Sequence, residues 1–453
     1  MFQHMKRKIY QKLLNWKNDS QGKTALLIEG ARGVGKSYIV EEFAKKEYES
    51  YLLIDFNIAP SEIKSLFDNY LQDLDTFFLF LTNFYGKKLT PRKSLIIFDE
   101  VQMFPKARSA IKYLVQDGRY DYIETGSLLS IKENVDKILI PSEEIHLAMH
   151  PMDFEEFLWA MGNDILFDLL QDRFEKLKPL GQTMHRKVMN LFRQYLLVGG
   201  MPQAVEEYAK TKDFSKVIEV QKMILSLYRA DIVKHAGSSK RKCERILDIL
   251  PSQLNSHEKR FNLSLMRKGA RYRDYETAFY WLDDAMILNT SYNATMPNAA
   301  LKMNKDFSSF KCYMGDTGLL FALVLERDPE SQAELYKKIL FNKLNLNEGM
   351  FMENIVTQML VANEHPLYFY SKASKNAAER MKIDFLISKS SVTSKHNICP
   401  IEVKSSTRYT LSSLRKFQTK FKDELSTPYV LHPSDLKVED GIVYLPLYMT
   451  SLL

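Results

Sequence analysis

Apolar residues recur along the chain in two rhythms. TALLIEG, YLLIDFN, SLIIFDE and DYIETGS are short apolar runs that stop at glycine, asparagine, serine or acids, the mark of strands buried on both faces. Between them, SYIVEEFAKKEYES and IKYLVQDG space their apolar positions three and four apart, which predicts helices, the second closed by its glycine. Strands alternating with amphipathic helices predict an α/β domain with a mainly parallel sheet over residues 1–150. Residues 151–236 keep a helical period, with one glycine break at YLLVGGMP, and predict a lid-like helical segment. In 237–330, RILDILPSQL and LSLMRKGARYRDYETAFYWLDDAMIL predict two helices across a short turn, and strands such as FKCYMGD follow. That order predicts a helix-turn-helix or winged-helix-like segment. Residues 331–453 return to α/β: MFMENIVTQMLVAN predicts a helix, and PLYFY, KIDFLIS, CPIEVKS and PYVLH predict strands.

Composition narrows the class. The 453 residues are 45% hydrophobic and 26% charged, the balance of a folded globular chain. No apolar run approaches the ~18 residues of a membrane span. The opening MFQHMKRKIYQKLLNWKND lacks the apolar core of a signal peptide. It sets Ile9, Leu13, Leu14 and Trp16 on one face of a short helix. Cys243, Cys312 and Cys399 are odd in number, far apart and without a C-x-x-C pair. This argues against a disulfide framework and for a reducing, cytoplasmic compartment. The nine histidines show no ligand spacing, so zinc is not expected. A net charge of +7 permits a nucleic-acid partner without requiring one.

The strongest chemical signal is Gly30-Ala31-Arg32-Gly33-Val34-Gly35-Lys36-Ser37, a complete G-x-x-x-x-G-K-[ST] between a strand and a helix. Gly30, Gly33 and Gly35 let the backbone curl so that its N–H groups face phosphates, aided by the helix N-terminus. Lys36 would reach the β- and γ-phosphates of ATP, and Ser37 would bind Mg²⁺. SLIIFDE adds Asp99 on the Mg²⁺ side and Glu100 as the base for attacking water. Thr125 and Ser127 end the next strand, beside the phosphates if the sheet is parallel; a hydroxyl there would sense the γ-phosphate or position water, unless it is an ordinary polar turn. Arg119 stands before that strand, either as an arginine finger toward a neighbouring subunit or as a plain surface residue.

GARGVGKS, IIFDEVQ, ETGSLLS, HPMDFEEFL, YLLVGGMPQAV, KCYMGDTGLL, GMFMENIV, KIDFLI and PIEVKSS occur in this order over nearly the whole chain. The set resembles a bacterial and archaeal ATPase family whose members join an AAA+ domain to a C-terminal domain of unknown function, itself similar to PD-(D/E)xK nucleases. The resemblance implies an AAA+ core, a winged-helix middle and a restriction-endonuclease-like C-terminal α/β domain. Arg119 falls where many AAA+ proteins place a finger, and no clear sensor-two arginine is present.

The nuclease resemblance also implies a second site. Its helix acid would be Glu353, its strand acid Asp384, and its acid-x-lysine Glu402 and Lys404. If KIDFLIS and CPIEVKS form a hairpin with Asp384 opposite Glu402, the loop centres near Thr393 and all three strand residues share a face. The carboxylates would then hold Mg²⁺, with Lys404 stabilising charge during phosphodiester cleavage; as plain alternation, the same residues would only line an exposed strand face. Lys382, two before Asp384, departs from the family pattern. From Lys372 through Lys422 there are twelve basic residues and three acids, a surface suited to DNA or RNA backbone. Arg267, Lys268, Arg271 and Arg273 form a second basic cluster. Two functions fit: an ATPase acting on nucleic acid, or an ATP-dependent conformational switch whose C-terminal domain, inactive as a nuclease, binds a protein. AAA+ analogy adds a homo-oligomer.

Overall fold

The computed structural model describes residues 5–127, 141–256, 259–298, 300–325, 348–377, 379–389 and 397–453. Its contacts divide the chain into two compact units, Met1–His150 with Asp284–Met286, and Pro151–Asp283 with Ile287–Leu453. Leu128, Leu129 and Ser130 of ETGSLLS, the hairpin centre at Thr393 and the expected boundary at 330/331 lie outside the described residues.

The first unit runs α1 (Ile9–Ser20), β1 (Ala25–Glu29), α2 (Lys36–Glu47), β2 (Ser50–Asp55), α3 (Ser61–Asn69), α4 (Leu74–Tyr85), β3 (Ser94–Asp99), α5 (Pro105–Asp117), β4 (Asp121–Gly126) and β5 (Glu144–Ala148). All strand pairs are parallel, in the order β2-β3-β4-β1-β5. Alternate residues feed two cores, which is why the strands read as unbroken apolar runs. Leu26, Ile28, Leu95, Ile97 and Ile123 pack with Leu13, Trp16, Val40 and Phe43 of α1 and α2. Leu27, Leu52, Ile54, Ile96, Phe98 and Tyr122 pack with Phe67, Phe77, Leu81, Ile111 and Leu114 of α3–α5. Because every strand points the same way and β4 lies between β1 and β3, the loop after β1, Asp99 and Thr125 emerge on one edge.

The second unit opens with helices α6 (Phe154–Ala160), α7 (Leu166–Glu175), α8 (Gln182–Val198), α9 (Pro202–Thr211), α10 (Phe214–His235), α11 (Lys240–Asn255) and α12 (Glu276–Asp284). It continues with β6 (Leu288–Ala294), β7 (Lys305–Met314), α13 (Thr317–Leu325), α14 (Glu348–Ala362), β8 (Tyr368–Lys372), β9 (Met381–Ser388) and β10 (Ile398–Val403). It ends with α15 (Ser412–Lys420), β11 (Tyr429–His432), β12 (Lys437–Glu439) and β13 (Ile442–Pro446). One mixed sheet, β12-β13-β11-β10-β9-β8-β6-β7, runs through it. The glycine break in the helical stretch has a steric cause. A Cβ on Gly200 would lie 2.1 Å from the Met152 carbonyl oxygen. The Gly200 N–H donates to buried Asp316 at 2.5 Å, whose carboxyl is pushed up to about 6 by burial in spite of that donor.

The long helix expected from LSLMRKGARYRDYETAFYWLDDAMIL does not form. The chain makes short turns at Leu263–Leu265 and Tyr272–Asp274, and becomes helical at Glu276. The Asn262 side chain accepts from Ser264 N–H and Asp274 from Arg271 N–H, while Gly269 sits at φ +74°. Such local bonds compete with the helix ladder. The hairpin β6–β7 that follows is not a free wing. It joins the large sheet through parallel pairing of Tyr292 with Tyr368 and Asn293 with Phe369.

Candidate functional site

Past β1 the chain needs left-handed backbone, which Gly33 (φ +81°) and Gly35 (φ +98°) supply without a Cβ clash. Lys36 opens α2, and its buried ammonium donates to the carbonyls of Gly30 (2.8 Å) and Ala31 (3.2 Å). Arg7 braces the loop, donating to Val34 O at 2.9 Å and His150 O at 2.8 Å. Ser37 Oγ donates to Asp99 Oδ1 at 2.8 Å, and Thr125 Oγ1 donates to the same oxygen. Asp99 is 7% exposed. Burial pushes its carboxyl up from the usual range, and the two hydroxyls only partly offset this. Among the described residues Asp99 has no ion pair, so the donors around it solvate a charge without neutralising it.

Glu100 turns off the strand end at φ +54°, strained for a residue with a Cβ. Its N–H donates to Thr125 Oγ1 at 3.3 Å. Its Oε2 accepts from Ser127 Oγ at 3.2 Å and from the Gln102 side-chain amide. Gln102 thus belongs to the cluster although no residue-level signal beyond its place in IIFDEVQ marked it. Arg119 does not reach this edge. It precedes β4 at the opposite end of the sheet, donates to Asp117 (2.7 and 2.8 Å) and Asp75 (2.7 Å), and lies over the Phe78 ring.

A polar network behind the loop also escaped sequence reading. Arg108 holds Glu144 at 2.6 and 3.1 Å, and His146 approaches Glu144 (2.8 Å) and Glu29 (3.3 Å). Glu124, adjacent to Thr125, is fully buried; burial and the Glu144 charge push its carboxyl well above the ordinary range.

In the second unit the antiparallel register pairs Ile401 with Phe385 and Cys399 with Ile387. One step further sets Glu402 across from Asp384, and Val403 N–H donates to Asp384 Oδ2 at 3.1 Å. α14 brings Glu353 beneath. The carboxylates are met by ammonium groups. Lys259 Nζ lies 2.5 Å from Glu353 Oε1; Lys311 Nζ lies 3.5 Å from Glu353 Oε2 and 3.7 Å from Asp384 Oδ1; Lys404 pairs with Glu402. Tyr313 OH donates to Glu353 Oε2 at 2.9 Å. Burial alone would raise the Glu353 carboxyl, but Lys311, Lys259 and Lys382 outweigh it and pull it to about 2. Glu402 moves the other way: burial raises it, and Lys404 only partly opposes this. Among the described residues no three of His, Cys, Asp and Glu gather as a metal cluster. The three acids expected to share magnesium, Glu353, Asp384 and Glu402, thus lie around one cluster, with Lys311 beside the first two and Lys404 paired to the third. Lys311 and Lys259 were missed. The one hint is Lys311, which shares a face with Tyr313 near the C-terminal end of β7, in the run Phe310–Met314 where every other residue is apolar.

Lys372, Glu379, Met381, Arg415, Lys416, Thr419 and Lys420 line a shallow groove of about 510 Å³. Ion pairs Lys372–Glu379 (2.7 Å) and Arg415–Asp440 (3.0 Å) lie there. Arg267, Lys268, Arg271 and Arg273 are all exposed.

Residues 22–158 match a family model described as an AAA domain. Residues 189–331 and 348–449 match two domains of unknown function, DUF8612 and DUF4143. No curated protein matches the chain. Among solved structures, the Walker-type ATPase PABY2304 of Pyrococcus abyssi is 15% identical over 71% of this chain and 96% of its own, with a TM-score of 0.38. The Orc1 protein of Aeropyrum pernix, solved with DNA, is 12% identical over 72% and 94%, with a TM-score of 0.28. The first unit carries an AAA-type P-loop domain, and no helix among the described residues is long and apolar enough to cross a membrane.

Proposed function

We propose that the chain is a Mg²⁺-dependent ATPase that turns ATP into ADP and phosphate and couples this to a nucleic-acid partner. The observation that carries the reading is the buried Asp99 carboxylate, held by Ser37 and Thr125 at the mouth of the glycine loop. A buried acid solvated only by hydroxyls suits a cation, and Ser37 and Asp99 would hold Mg²⁺. Bound Mg²⁺ would draw charge from the phosphates. The loop N–H groups and the start of α2 would cradle those phosphates, and Lys36 would exchange its carbonyl partners for phosphate oxygens. Glu100 would orient the attacking water and take its proton, with Gln102 and Ser127 holding its carboxylate in place. Thr125 bonds both Asp99 and the Glu100 backbone, so a shift on the phosphate side would be felt at the base. Arg119, at the other sheet end, would act only on the nucleotide of a neighbouring copy in a homo-oligomer.

The order α14-β8-β9-β10-α15-β11 supports likeness to the PD-(D/E)xK core, and the basic groove supports a phosphate-backbone partner. The second reading, a switch that binds a protein, draws on the ion pairs that neutralise part of that groove. The buried thiols of Cys243, Cys312 and Cys399 suit a cytoplasmic setting.

Calorimetry and turnover test the reading together. Lys36→Ala should lose ATP binding while keeping its fold. Glu100→Gln should bind ATP with turnover lowered about 100-fold or more. Wild-type affinity in the first variant, or wild-type turnover in the second, would refute the site. Oligonucleotide binding that weakens steeply with salt separates a nucleic-acid partner from a protein one.

A further inference from the structure

The acids expected to form a nuclease metal centre have company that such a centre does not need. Three carboxylates, Glu353, Asp384 and Glu402, meet three ammonium groups, Lys259, Lys311 and Lys404. A centre with one divalent cation and one lysine would balance the same negative charge. Here the balance is reached with lysines alone. Lys311 is 1% exposed, comes from β7 and lies between Glu353 and Asp384. That is where an ion bridging the helix acid and the strand acid would sit. Lys259 takes the other Glu353 oxygen and also donates to Gly349 O at 2.7 Å, so it is fixed from two sides.

We infer that Lys311 is a built-in substitute for the divalent cation, and that the nuclease-like centre of the second unit binds no metal and cleaves no phosphodiester. The physical logic is local. An ammonium cannot share a coordination sphere with a metal ion, and a divalent ion entering between Glu353 and Asp384 would meet a buried positive charge 3.5 Å from the first acid and 3.7 Å from the second. An ammonium in that place also offers no exchangeable water to serve as a nucleophile. Lys404 and Asp384, at 21% and 13% side-chain exposure, are the members that solvent still reaches. The network instead ties β7 to α14 and β9 by charge. This inference is independent of the ATPase reading, since it concerns different acids in the other unit.

The test counts bound Mn²⁺ by its electron paramagnetic resonance signal, without nucleotide. In the wild-type background, Asp384→Asn and Glu402→Gln should leave the number of bound ions unchanged; loss of one equivalent in either would overturn the inference. Lys311→Met, of similar volume, frees the position. It should gain one equivalent of Mn²⁺ that is lost again when Asp384→Asn is added. Failure of a folded Lys311→Met to gain that ion would also overturn the substitution. If that variant does not fold, the first comparison still decides.

Discussion

The two units each bury a carboxylate site, and they satisfy it by opposite means. At the end of β3, Asp99 is met by the hydroxyls of Ser37 and Thr125, and its carboxyl is pushed up by burial. Beneath β9 and β10, Glu353 is met by two lysines and a tyrosine, and its carboxyl is pulled down against the same burial. The neighbours decide what the acids do: hydroxyls leave a negative charge for an arriving cation, whereas ammonium groups consume it. Acid spacing alone therefore predicts where carboxylates gather and not whether a metal joins them.

The largest expected effect lies on the lysine side. Removing one partner of a buried ion pair leaves the other uncompensated, so Lys311→Met should destabilise the second unit by about 3–5 kcal/mol. Asp99→Asn removes a charge that burial already disfavours, and should leave the first unit as stable as before or more so. Urea titration resolves the two, since Trp16 lies in the first unit and Trp159 and Trp281 in the second. Equal losses in both variants would break the contrast.

How much of this was readable follows from distance along the chain. The glycine loop, Asp99 and Glu100 sit inside short motifs, and the parallel sheet that gathers them with Thr125 is implied by the alternation of apolar runs and helices. That Glu402 and Lys404 share a face follows from the two-residue period of a strand, whereas the register that sets Glu402 across from Asp384 is a supposition until the β9–β10 pairing supplies it. The lysines were not readable. Lys311 is 42 and Lys259 is 94 residues from Glu353, in segments whose local pattern speaks only of a strand and a turn. The broken helix before Glu276 failed for a related reason: apolar spacing continues through MRKGARYRD, while side-chain caps at Asn262 and Asp274 stop the ladder.

A pH titration sharpens the same contrast at smaller amplitude. The Glu353 carboxyl is lowered from about 4.5 to about 2. Its charge thus adds stability that is complete above the unfolded value and is lost as pH falls from about 4.5 toward 2. Asp99 is raised, so the cost of its charge to the first unit appears as pH rises through its folded value, and acidification relieves it. Glu353→Gln should accordingly flatten the acid limb of the Trp159 and Trp281 transition, whereas Asp99→Asn should not flatten that of Trp16. An acid limb of the second unit left unchanged by Glu353→Gln would reverse the assignment.

The smallest effect is expected at Arg119, which shows what an ion pair contributes when water reaches it. Its guanidinium is raised by Asp117 and Asp75, but Asp75 is 90% exposed and the pairs lie at the sheet's outer end. Exposed pairs of this kind contribute about 0–1 kcal/mol, with a similar increment from the Phe78 ring. Arg119→Ala should therefore shift the urea midpoint of the first unit slightly and leave single-chain ATP affinity unchanged. Turnover measured against protein concentration then separates two roles. A rate that no longer rises with concentration in the variant, where the wild type's does, assigns Arg119 to a neighbour's nucleotide. Identical concentration curves assign it to the surface of its own fold, where a charge already shared with Asp117 and Asp75 has nothing left to give the phosphates.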